Sequence, residues 1–355
     1  MKIAIIADTH WGVRNDNSVF LDASKNFLEN VFFPTINKQG INTIVHLGDL
    51  VDRRKYINIQ TAKRLREDFI QPIIDRKLEY HQILGNHDVY YKNTNDVNAV
   101  RELYGDNFPL YDTTTEVTID SLPILFVPWI NVTNRDQSVE AIKRSNAKVC
   151  MGHLEIKGFE MFRGSIATHG EDRSLFDRFH TTMSGHFHHR STDGSIYYLG
   201  SHGQFTWSDY GDERGFHVFD TETLELTFIE NPYKMFSKII YDDSNLAFKD
   251  LDGIDFEKYK STYGKIIVKN KNDPYLFDIF CNKVEKAGLI DWQIVDDHLN
   301  LNIEDDSDIS FEAESTIDIF KKYIALSSWN TNNVNKEKLE QTIVSLYNEA
   351  IGFAQ

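Results

Sequence analysis

Five short segments of the chain carry aspartate, histidine and asparagine at spacings suited to metal ligation. In chain order they are D-x-H at Asp8 and His10, G-D-x-x-D at Asp49 and Asp52, G-N-H-D at Asn86 and His87, G-H at His153, and G-H-x-H at His186 and His188. Carboxylate, amide and imidazole donors together suit Mn, Fe or Zn better than Mg or Ca, and the lack of thiolates argues against a structural zinc site. These donors are too many for one ion. The pattern therefore predicts two divalent metal ions, roughly 3.5 to 4 Å apart and bridged by one carboxylate.

The histidine-rich stretch S-G-H-F-H-H-R, residues 184–190, offers three imidazoles in four positions. In an extended chain the side chains alternate between two sides with period 2. His186 and His188 then project to one side, while Phe187 and His189 project to the other. We therefore expect His186 and His188 to share a site from which His189 is excluded.

Each polar segment follows an apolar run with the length and β-branched content of a buried strand. The runs are K-I-A-I-I-A before Asp8, N-T-I-V-H-L-G before Asp49, E-Y-H-Q-I-L-G before Asn86, A-K-V-C-M-G before His153 and H-T-T-M-S-G before His186. A helical pattern with apolar residues from Ile59 to Ile73 lies between two of these runs. Alternating strands and helices predict an α/β sheet, and in such sheets ligands collect beyond the carboxyl ends of the strands. We expect all five polar segments to lie there.

Past residue 231 a second, smaller β-α-β pattern begins, built from G-K-I-I-V-K-N, D-P-Y-L-F-D-I-F-C-N-K-V-E-K-A-G and L-I-D-W-Q-I-V-D-D. Its helix is predicted to have Asp273 as N-cap, Pro274 at the first position and Gly288 past the end. An acidic connector, E-D-D-S-D-I-S, leads to a last segment with apolar stripes at helical spacing, first from Ile317 to Ile324 and then from Leu339 to Tyr347. These stripes predict a helical tail.

Composition excludes some classes of protein. With 41% hydrophobic and 26% charged residues among 355, the chain is typical of a folded, soluble protein. Its net charge is -16, and residues 241–355, with 12 basic and 22 acidic residues, hold -10 of it. Nucleic-acid binding normally draws on surplus Lys and Arg, so this charge weakens the case for a nucleic-acid partner without excluding one.

Cys150 and Cys281 form no CxxC site, and no apolar run approaches the roughly 18 residues of a membrane span. We therefore expect a cytoplasmic protein with no membrane partner.

The ordered set of five motifs resembles that of the calcineurin-like metallophosphoesterases. Within that superfamily, D-T-H-W-G at residues 8–12, Y-L-G-S at 198–201 and the small domain with its helical tail resemble the SbcD-type DNA-repair exonucleases. The compact length and the ending L-Y-N-E-A look most similar to the phage recombination nuclease branch. The resemblance implies an α/β fold with a four-layer α/β/β/α sandwich over residues 1–235. It further implies a small α+β capping domain over 236–310 and a helical partner-binding tail over 311–355.

The resemblance also implies a role for each motif residue. One metal ion would be held by Asp8, His10, Asp49 and His188, and the other by Asp49, Asn86, His153 and His186. Two Mn²⁺ ions would then promote in-line attack of water on the phosphorus. His87 matches the catalytic histidine of the family, which assists the leaving oxygen or orients the phosphate.

Asp52 departs from the cellular nucleases, which tend to have histidine at that position. The related phosphatases have aspartate there, which orients the catalytic histidine, and an adjacent arginine that contacts phosphate; here these are Asp52 and Arg53. A phosphatase or small phosphodiesterase therefore remains an alternative, as does a scaffold for DNA ends.

Two aromatic residues outside the motifs have a simpler interpretation. Trp207 and Tyr210 could stack on a base, but ordinary loop packing explains them as well.

The partners that the resemblance implies are DNA, as duplex ends and single strands, an SbcC-type ABC ATPase, and a second copy of the chain in a homodimer. The activities would be 3′ to 5′ exonuclease on duplex ends and endonuclease on single strands.

Overall fold

The computed structural model describes residues 1–105, 107–296, 338, 339 and 342. The chain divides into two compact units, Met1–Leu301 and Asn302–Gln355. In the second unit, the described residues 338, 339 and 342 are helical. The predicted tail over 311–355 therefore lies almost wholly outside the described residues. None of the helices in the described part of the chain is long and apolar enough to cross a membrane.

The strands are short and occur along the whole first unit. They are β1 (Lys2–Ile6), β2 (Thr43–His46), β3 (Glu79–Ile83), β4 (Leu110–Tyr111), β5 (Thr115–Ile119), β6 (Leu122–Val127), β7 (Val149–His153), β8 (Glu160–Phe162), β9 (Ser165–Ile166), β10 (Thr181–Gly185), β11 (Ser191–Thr192), β12 (Ile196–Tyr198), β13 (Gly215–Asp220), β14 (Leu226–Glu230), β15 (Phe236–Asp242), β16 (Tyr263–Asn270) and β17 (Asp291–Asp296).

The α-helices lie between these strands. They are α1 (Ser18–Phe27), α2 (Phe33–Gln39), α3 (Ile59–Leu65), α4 (Gln71–Asp75), α5 (Ala99–Tyr104), α6 (Arg135–Arg144) and α7 (Pro274–Lys286). One π-helical turn, Leu28–Phe32, joins α1 to α2, and another, Arg66–Ile70, joins α3 to α4. The predicted helix from Ile59 to Ile73 is thus confirmed, and it contains the π-helical turn Arg66–Ile70.

Two six-stranded sheets form within the described part of the chain. The first has the order β14-β13-β1-β2-β3-β4, and the second the order β11-β12-β10-β7-β6-β5. Strands β1 to β4 are parallel, as are β6, β7, β10 and β12. Because parallel strands end at the same edge, the segments after β1, β2 and β3 share one edge, and those after β7 and β10 share another.

The two sheets pack face to face, and helices cover their outer faces. In β1, Ile3 and Ile5 enter the core between the sheets with Phe126 and Met151 of the second sheet. Ala4 and Ile6 alternate to the other face and pack on the helices, as period 2 requires. Leu125, Val127 and Cys150 pack against Ile142 of α6 outside the second sheet. A fully buried side chain of this size contributes roughly 1.5 to 3 kcal/mol. The predicted four-layer α/β/β/α arrangement is confirmed.

The second β-α-β pattern also forms as predicted. Strands β15, β16 and β17 are parallel neighbours, and α7 connects β16 to β17. Asp273 caps α7 by accepting hydrogen bonds from the backbone N–H groups of Tyr275 and Leu276, at 2.9 and 3.1 Å. Pro274 begins the helix, and Gly288 follows it with φ of 77°. The domain boundaries after residues 235 and 310 remain predictions.

Trp207 packs against this smaller sheet. Its ring lies 4.8 Å from that of Phe236, and the Lys265 ammonium is 4.3 Å from its centre. Tyr210 lies 5.1 Å from the Lys238 ammonium. Of the two interpretations of these aromatic residues, the structure favours loop packing.

Candidate metal centre

The residues of the five motifs converge at the carboxyl ends of five strands. Asp8 and His10 follow β1, Asp49 follows β2, Asn86 and His87 follow β3, His153 ends β7, and His186 and His188 follow β10. Asp8, His10, Asp49 and His153 are at most 1% exposed. Strand pairing aligns these ends, since Ile6 is level with His46 and His153 is level with Gly185.

Asp8, His10 and His188 form the first group of potential ligands. One side-chain atom from each lies within 4.8 Å of the others. The Nε2 atoms of His10 and His188 are 2.9 Å apart. The backbone N–H of His186 donates to the Asp8 carboxylate at 3.0 Å, which ties the loop after β10 to the end of β1.

Asp49, His153 and His186 form the second group, again within 4.8 Å of one another. Asn86 belongs with them, because its Oδ1 lies 2.9 Å from His153 Nε2 and 2.9 Å from His186 Nδ1. Asp49 Oδ2 is 3.3 Å from His153 Nε2 and 3.7 Å from His10 Nε2 in the first group. The Asp49 carboxylate therefore lies between the two groups.

His87 and Asp52 lie beside the first group. With His10 they form a third cluster within 4.8 Å, and the rings of His87 and His10 are 4.9 Å apart in an edge-to-face arrangement. His87 Nδ1 is hydrogen-bonded to the backbone carbonyl of Asp52. The Asp52 carboxylate lies 3.5 Å from His10 Nδ1. Asp52 thus contacts His87 through its main chain and His10 through its side chain.

Arg53 is directed toward the loop after β1. Its guanidinium pairs with Asp16 at 3.1 Å and is hydrogen-bonded to Asn15 and to the Tyr56 hydroxyl. Its side chain keeps 22% of its surface exposed.

His189 lies outside the donor groups. Its Nδ1 is 2.8 Å from Asp212, and its Nε2 is 3.2 Å from Glu160. The chain leaves β10 at Gly185, and His186 has a φ of 87°. Residues 186–189 lie past the end of β10 in a bent segment, so a sharp turn, and not the strand alternation expected from the sequence, accompanies the separation of His189 from His186 and His188.

The backbone of the site is strained. Asp8, His10, Asp49 and His186 have φ of 52°, 42°, 55° and 87°, in the left-handed region that non-glycine residues rarely occupy. Such conformations typically cost about 1 to 3 kcal/mol each and persist where surrounding contacts fix them, often at functional sites. Gly85 permits the closest approach, since a Cβ there would lie 2.1 Å from Asp49 Oδ1.

The electrostatics of the donor set fit divalent cations. Burial, with a smaller effect of His153, lowers the pKa of His186 to about 3, so its ring keeps a lone pair with which to bind a metal ion. Burial also lowers the pKa of His188 well below its usual value. Burial is also the largest single effect on His153 and opposes its protonation, but the charges of Asp49 and Asp8 and the hydrogen bonds to Asp49 and the Leu47 carbonyl together raise the pKa to about 9. Imidazoles, carboxylates and an amide oxygen are the donors that Mn, Fe and Zn accept, and a bound cation would displace the proton of His153.

Asp88 has a role that the sequence did not reveal. It is completely buried, and its carboxylate accepts hydrogen bonds from the backbone N–H groups of Asp49, Leu50, Val51 and Gly85, at 2.8 to 3.2 Å. Asp88 therefore fixes the loops that carry Asp49 and Asn86. The only signal was its place in the G-N-H-D motif.

Arg214 and Trp129 also contact the site. Arg214 is 2% exposed and donates to the His188 carbonyl, while Asp209 and Asp212 neutralise it at 2.8 and 3.1 Å. Trp129 follows β6, and its ring lies 5.1 Å from that of His186. An aromatic residue just past an apolar strand was the available signal for Trp129.

Comparisons with known proteins agree with this geometry. The calcineurin-like phosphoesterase family matches residues 1–190. Exonuclease subunit 1 of Enterobacteria phage T4 is 30% identical over 357 residues, which cover 99% of each chain. The SbcD chain of the nuclease SbcCD from Staphylococcus epidermidis is 26% identical over 79% of each chain, and that from Staphylococcus saprophyticus is 23% identical over 98% of this chain and 99% of the relative. The chain therefore belongs to the calcineurin-like phosphoesterase family of metal-dependent enzymes, in the branch that contains these nucleases.

Proposed function

We propose that the chain is a Mn²⁺-dependent DNA nuclease that hydrolyses phosphodiester bonds at a two-metal centre. The observation that carries the proposal is the Asp49 carboxylate, whose Oδ2 lies 3.7 Å from His10 and 3.3 Å from His153. A carboxylate shared between two donor groups is what a pair of metal ions requires. The similarity to exonuclease subunit 1 along 99% of both chains supports DNA as the substrate.

In this proposal Asp49 would be a ligand of both ions. One ligand set would be completed by Asp8, His10 and His188, and the other by Asn86, His153 and His186. When bound, the ions would supply Lewis-acid stabilisation of the charge on the phosphate and acidify a water molecule. The four backbone hydrogen bonds to Asp88 fix the loops that carry Asp49 and Asn86.

His87 serves the leaving oxygen. His87 Nδ1 donates a hydrogen bond to the Asp52 carbonyl, so Nε2 is the atom left to donate a proton to the leaving oxygen, from the doubly protonated ring. General acid catalysis of this kind contributes about 10² to 10⁴ in rate. Asp52 positions His87 through that carbonyl and His10 through its carboxylate. The proposed phosphate contact is Arg53, whose side chain is partly exposed and pairs with Asp16.

The proposed activities are 3′ to 5′ exonuclease on duplex ends and endonuclease on single strands. An SbcC-type ABC ATPase is the proposed partner, since two relatives are named as chains of the SbcCD nuclease. A homodimer completes the proposed assembly.

The experiment compares four substrates in parallel with purified protein and Mn²⁺: supercoiled plasmid, linear duplex, single-stranded DNA and p-nitrophenyl phosphate. We expect cleavage of the DNA substrates and slow turnover of the ester. Turnover of p-nitrophenyl phosphate alone would instead identify a phosphatase. Binding of DNA ends without hydrolysis of any substrate would identify a scaffold.

The ligand assignment is tested by Asp49→Asn, with bound Mn²⁺ measured by elemental analysis. Because Asp49 is assigned to both ions, this variant should lose more metal than His188→Ala, which affects one ion. His180→Ala is the matched control, since His180 lies exposed beside the opposite end of β10. Full metal content in Asp49→Asn would contradict a shared carboxylate.

A further inference from the structure

Trp129 lies at the rim of the donor cluster, just past the carboxyl end of β6. Its ring is 5.1 Å from the His186 ring at an interplanar angle of 43°, and 6.2 Å from the His153 ring. The side chain is partly exposed. Part of the indole therefore covers two proposed metal ligands, while the remainder borders solvent beside the site.

The main chain of Trp129 is fixed on both sides. Its N–H donates to the Leu84 carbonyl at 2.9 Å, and its carbonyl accepts from the side-chain amides of Asn95 and Asn134, at 3.2 and 3.0 Å. A flat ring on a backbone held in this way loses little conformational freedom when it binds a second ring.

A neighbouring loop carries two further exposed aromatic residues. Loop 88–98, after β3, exposes Tyr90 and Tyr91 by 37% and 52%, and their rings are 4.6 Å apart. The same loop is joined to loop 129–134 through a hydrogen bond from Asn131 to Asn95, at 2.9 Å. Clustered exposed aromatic side chains mark a binding surface more often than solitary ones do.

We propose that Trp129 stacks on an unpaired nucleobase next to the scissile phosphate, and that Tyr90 and Tyr91 extend this surface along the strand. The inference rests on the proposed nuclease function. A nucleotide combines a base with a π face and an anionic phosphate, and the phosphate is drawn to the metal centre that Trp129 borders. The base must be unpaired and unstacked, since inside a duplex the neighbouring base pairs cover both of its faces. Trp129 is thus a positioning residue for the substrate.

The test measures the coupling between the indole and the base. Single-stranded oligonucleotides contain either normal nucleotides or one tetrahydrofuran abasic residue, moved stepwise across the cleaved bond, and kcat/KM is measured for each with Mn²⁺. Stacking on an aromatic side chain is worth about 1 to 3 kcal/mol per base, or about 5- to 150-fold. We expect the wild-type protein to lose that factor at one abasic position. In Trp129→Phe the abasic residue should still lower kcat/KM, by a smaller factor than in the wild-type protein. Trp129→Leu should cleave the normal and the abasic oligonucleotides at the same rate.

For each variant, the result is the ratio of kcat/KM for the normal oligonucleotide to kcat/KM for the abasic one. A change in metal content affects both values equally and leaves this ratio unchanged. Trp207→Leu is the matched control, because Trp207 packs on the smaller sheet, and it should retain the wild-type ratio. A second readout uses a nuclease-resistant oligonucleotide with 2-aminopurine at the sensitive position, whose fluorescence should be quenched by the wild-type protein and not by Trp129→Leu.

A wild-type ratio in Trp129→Leu, with quenching intact, would overturn the inference and leave Trp129 as a shield for His153 and His186. Failure of the wild-type protein to cleave either oligonucleotide would instead overturn the nuclease function, and this inference with it.

Discussion

At the scale of single residues, buried acceptors hold the site together. Asp88 satisfies four backbone N–H groups with two oxygens: Oδ1 accepts from Leu50 and Val51, and Oδ2 from Asp49 and Gly85. The loops after β2 and β3 are therefore fixed to each other by one carboxylate. Substituting it changes the positions of proposed ligands without removing one.

We predict that Asp88→Asn destabilises the protein and weakens metal binding. The amide nitrogen must replace one oxygen, and two buried N–H donors then lose their acceptor, at about 1 to 3 kcal/mol each. Urea unfolding should show a free energy of unfolding lower by at least about 2 kcal/mol, and calorimetric titration with Mn²⁺ a lower affinity. Asp96→Asn, an exposed change in the same loop, is the control. Equal stability of the two variants would contradict this role for Asp88.

His217 gives stability a dependence on pH. It is 5% exposed on β13, and burial, aided by the charge of Arg190, lowers its pKa to about 3. In the unfolded chain the pKa of histidine is about 6.5, so between pH 6.5 and 3 the unfolded state binds the extra proton. His217 therefore reduces stability as the pH falls through this window, by about 1.4 kcal/mol per unit.

We predict that His217→Gln is less sensitive to acid than the wild-type protein. The free energy of unfolding at pH 4.5, relative to pH 6.5, should fall by about 2 kcal/mol less in the variant, because the proton uptake of the unfolded His217 is removed. Urea unfolding at the two pH values measures this difference. The exposed His180, changed to Gln, provides the comparison. Parallel pH profiles for His217→Gln and wild type would refute the prediction.

At the scale of elements, left-handed backbone marks both the site and one hairpin. Arg14, Asn15 and Asp16 are consecutive left-handed residues directly after the site segment of β1, with φ from 54° to 64°. Each such residue costs roughly 1 to 2 kcal/mol. Compensation comes from Arg53, which binds Asn15 and Asp16, and from Thr61, whose hydroxyl donates to Asp16 at 2.7 Å. The strain there is matched by contacts from another part of the chain.

The β5–β6 hairpin carries similar strain with fewer compensating contacts. Asp120 and Ser121 form its two-residue turn with φ of 49° and 64°, the conformation in which Asp-Gly is preferred. We predict that Ser121→Gly raises the free energy of unfolding by about 0.5 to 1 kcal/mol, because glycine adopts positive φ without strain. Thermal unfolding measures the change. Ser121→Ala keeps the Cβ and should give no gain; equal gains in both variants would show that the backbone is not the cause.

At the scale of the whole molecule, the charge of -16 opposes binding to a polyanion, so a partner with a basic surface would aid the proposed reaction. We predict that residues 311–355 dock on the SbcC-type ATPase through their apolar stripes, as amphipathic helices do in partner grooves. Deleting them should preserve Mn²⁺-dependent cleavage of short single strands and abolish ATP-stimulated degradation of duplex by the reconstituted complex. Co-purification of the truncated, folded chain with the ATPase would contradict this prediction.

The sequence by itself indicated the donor chemistry and the order of strands and helices. Donor types are properties of single residues, so Asp8, His10, Asn86 and His153 indicated metal ligation without any coordinates. Strand periodicity is local as well, and it predicted an α/β sheet and the smaller β-α-β unit, whereas the four-layer sandwich was implied by the family resemblance. The cap of α7 at Asp273 was predictable for the same reason, since capping involves residues two or three positions apart.

Only the tertiary structure decided how those residues meet. Asp49 lies between His10 and His153, which are 39 and 104 positions away in the sequence, and Asp88 reaches back 39 positions to hold it. Trp129 contacts His186 across 57 positions, so no local pattern assigned it to the site. The left-handed backbone of Asp8, His10, Asp49 and His186 opposes local preference, and non-local contacts sustain it. Such contacts depend on the packing of the two sheets, which short-range sequence patterns do not encode.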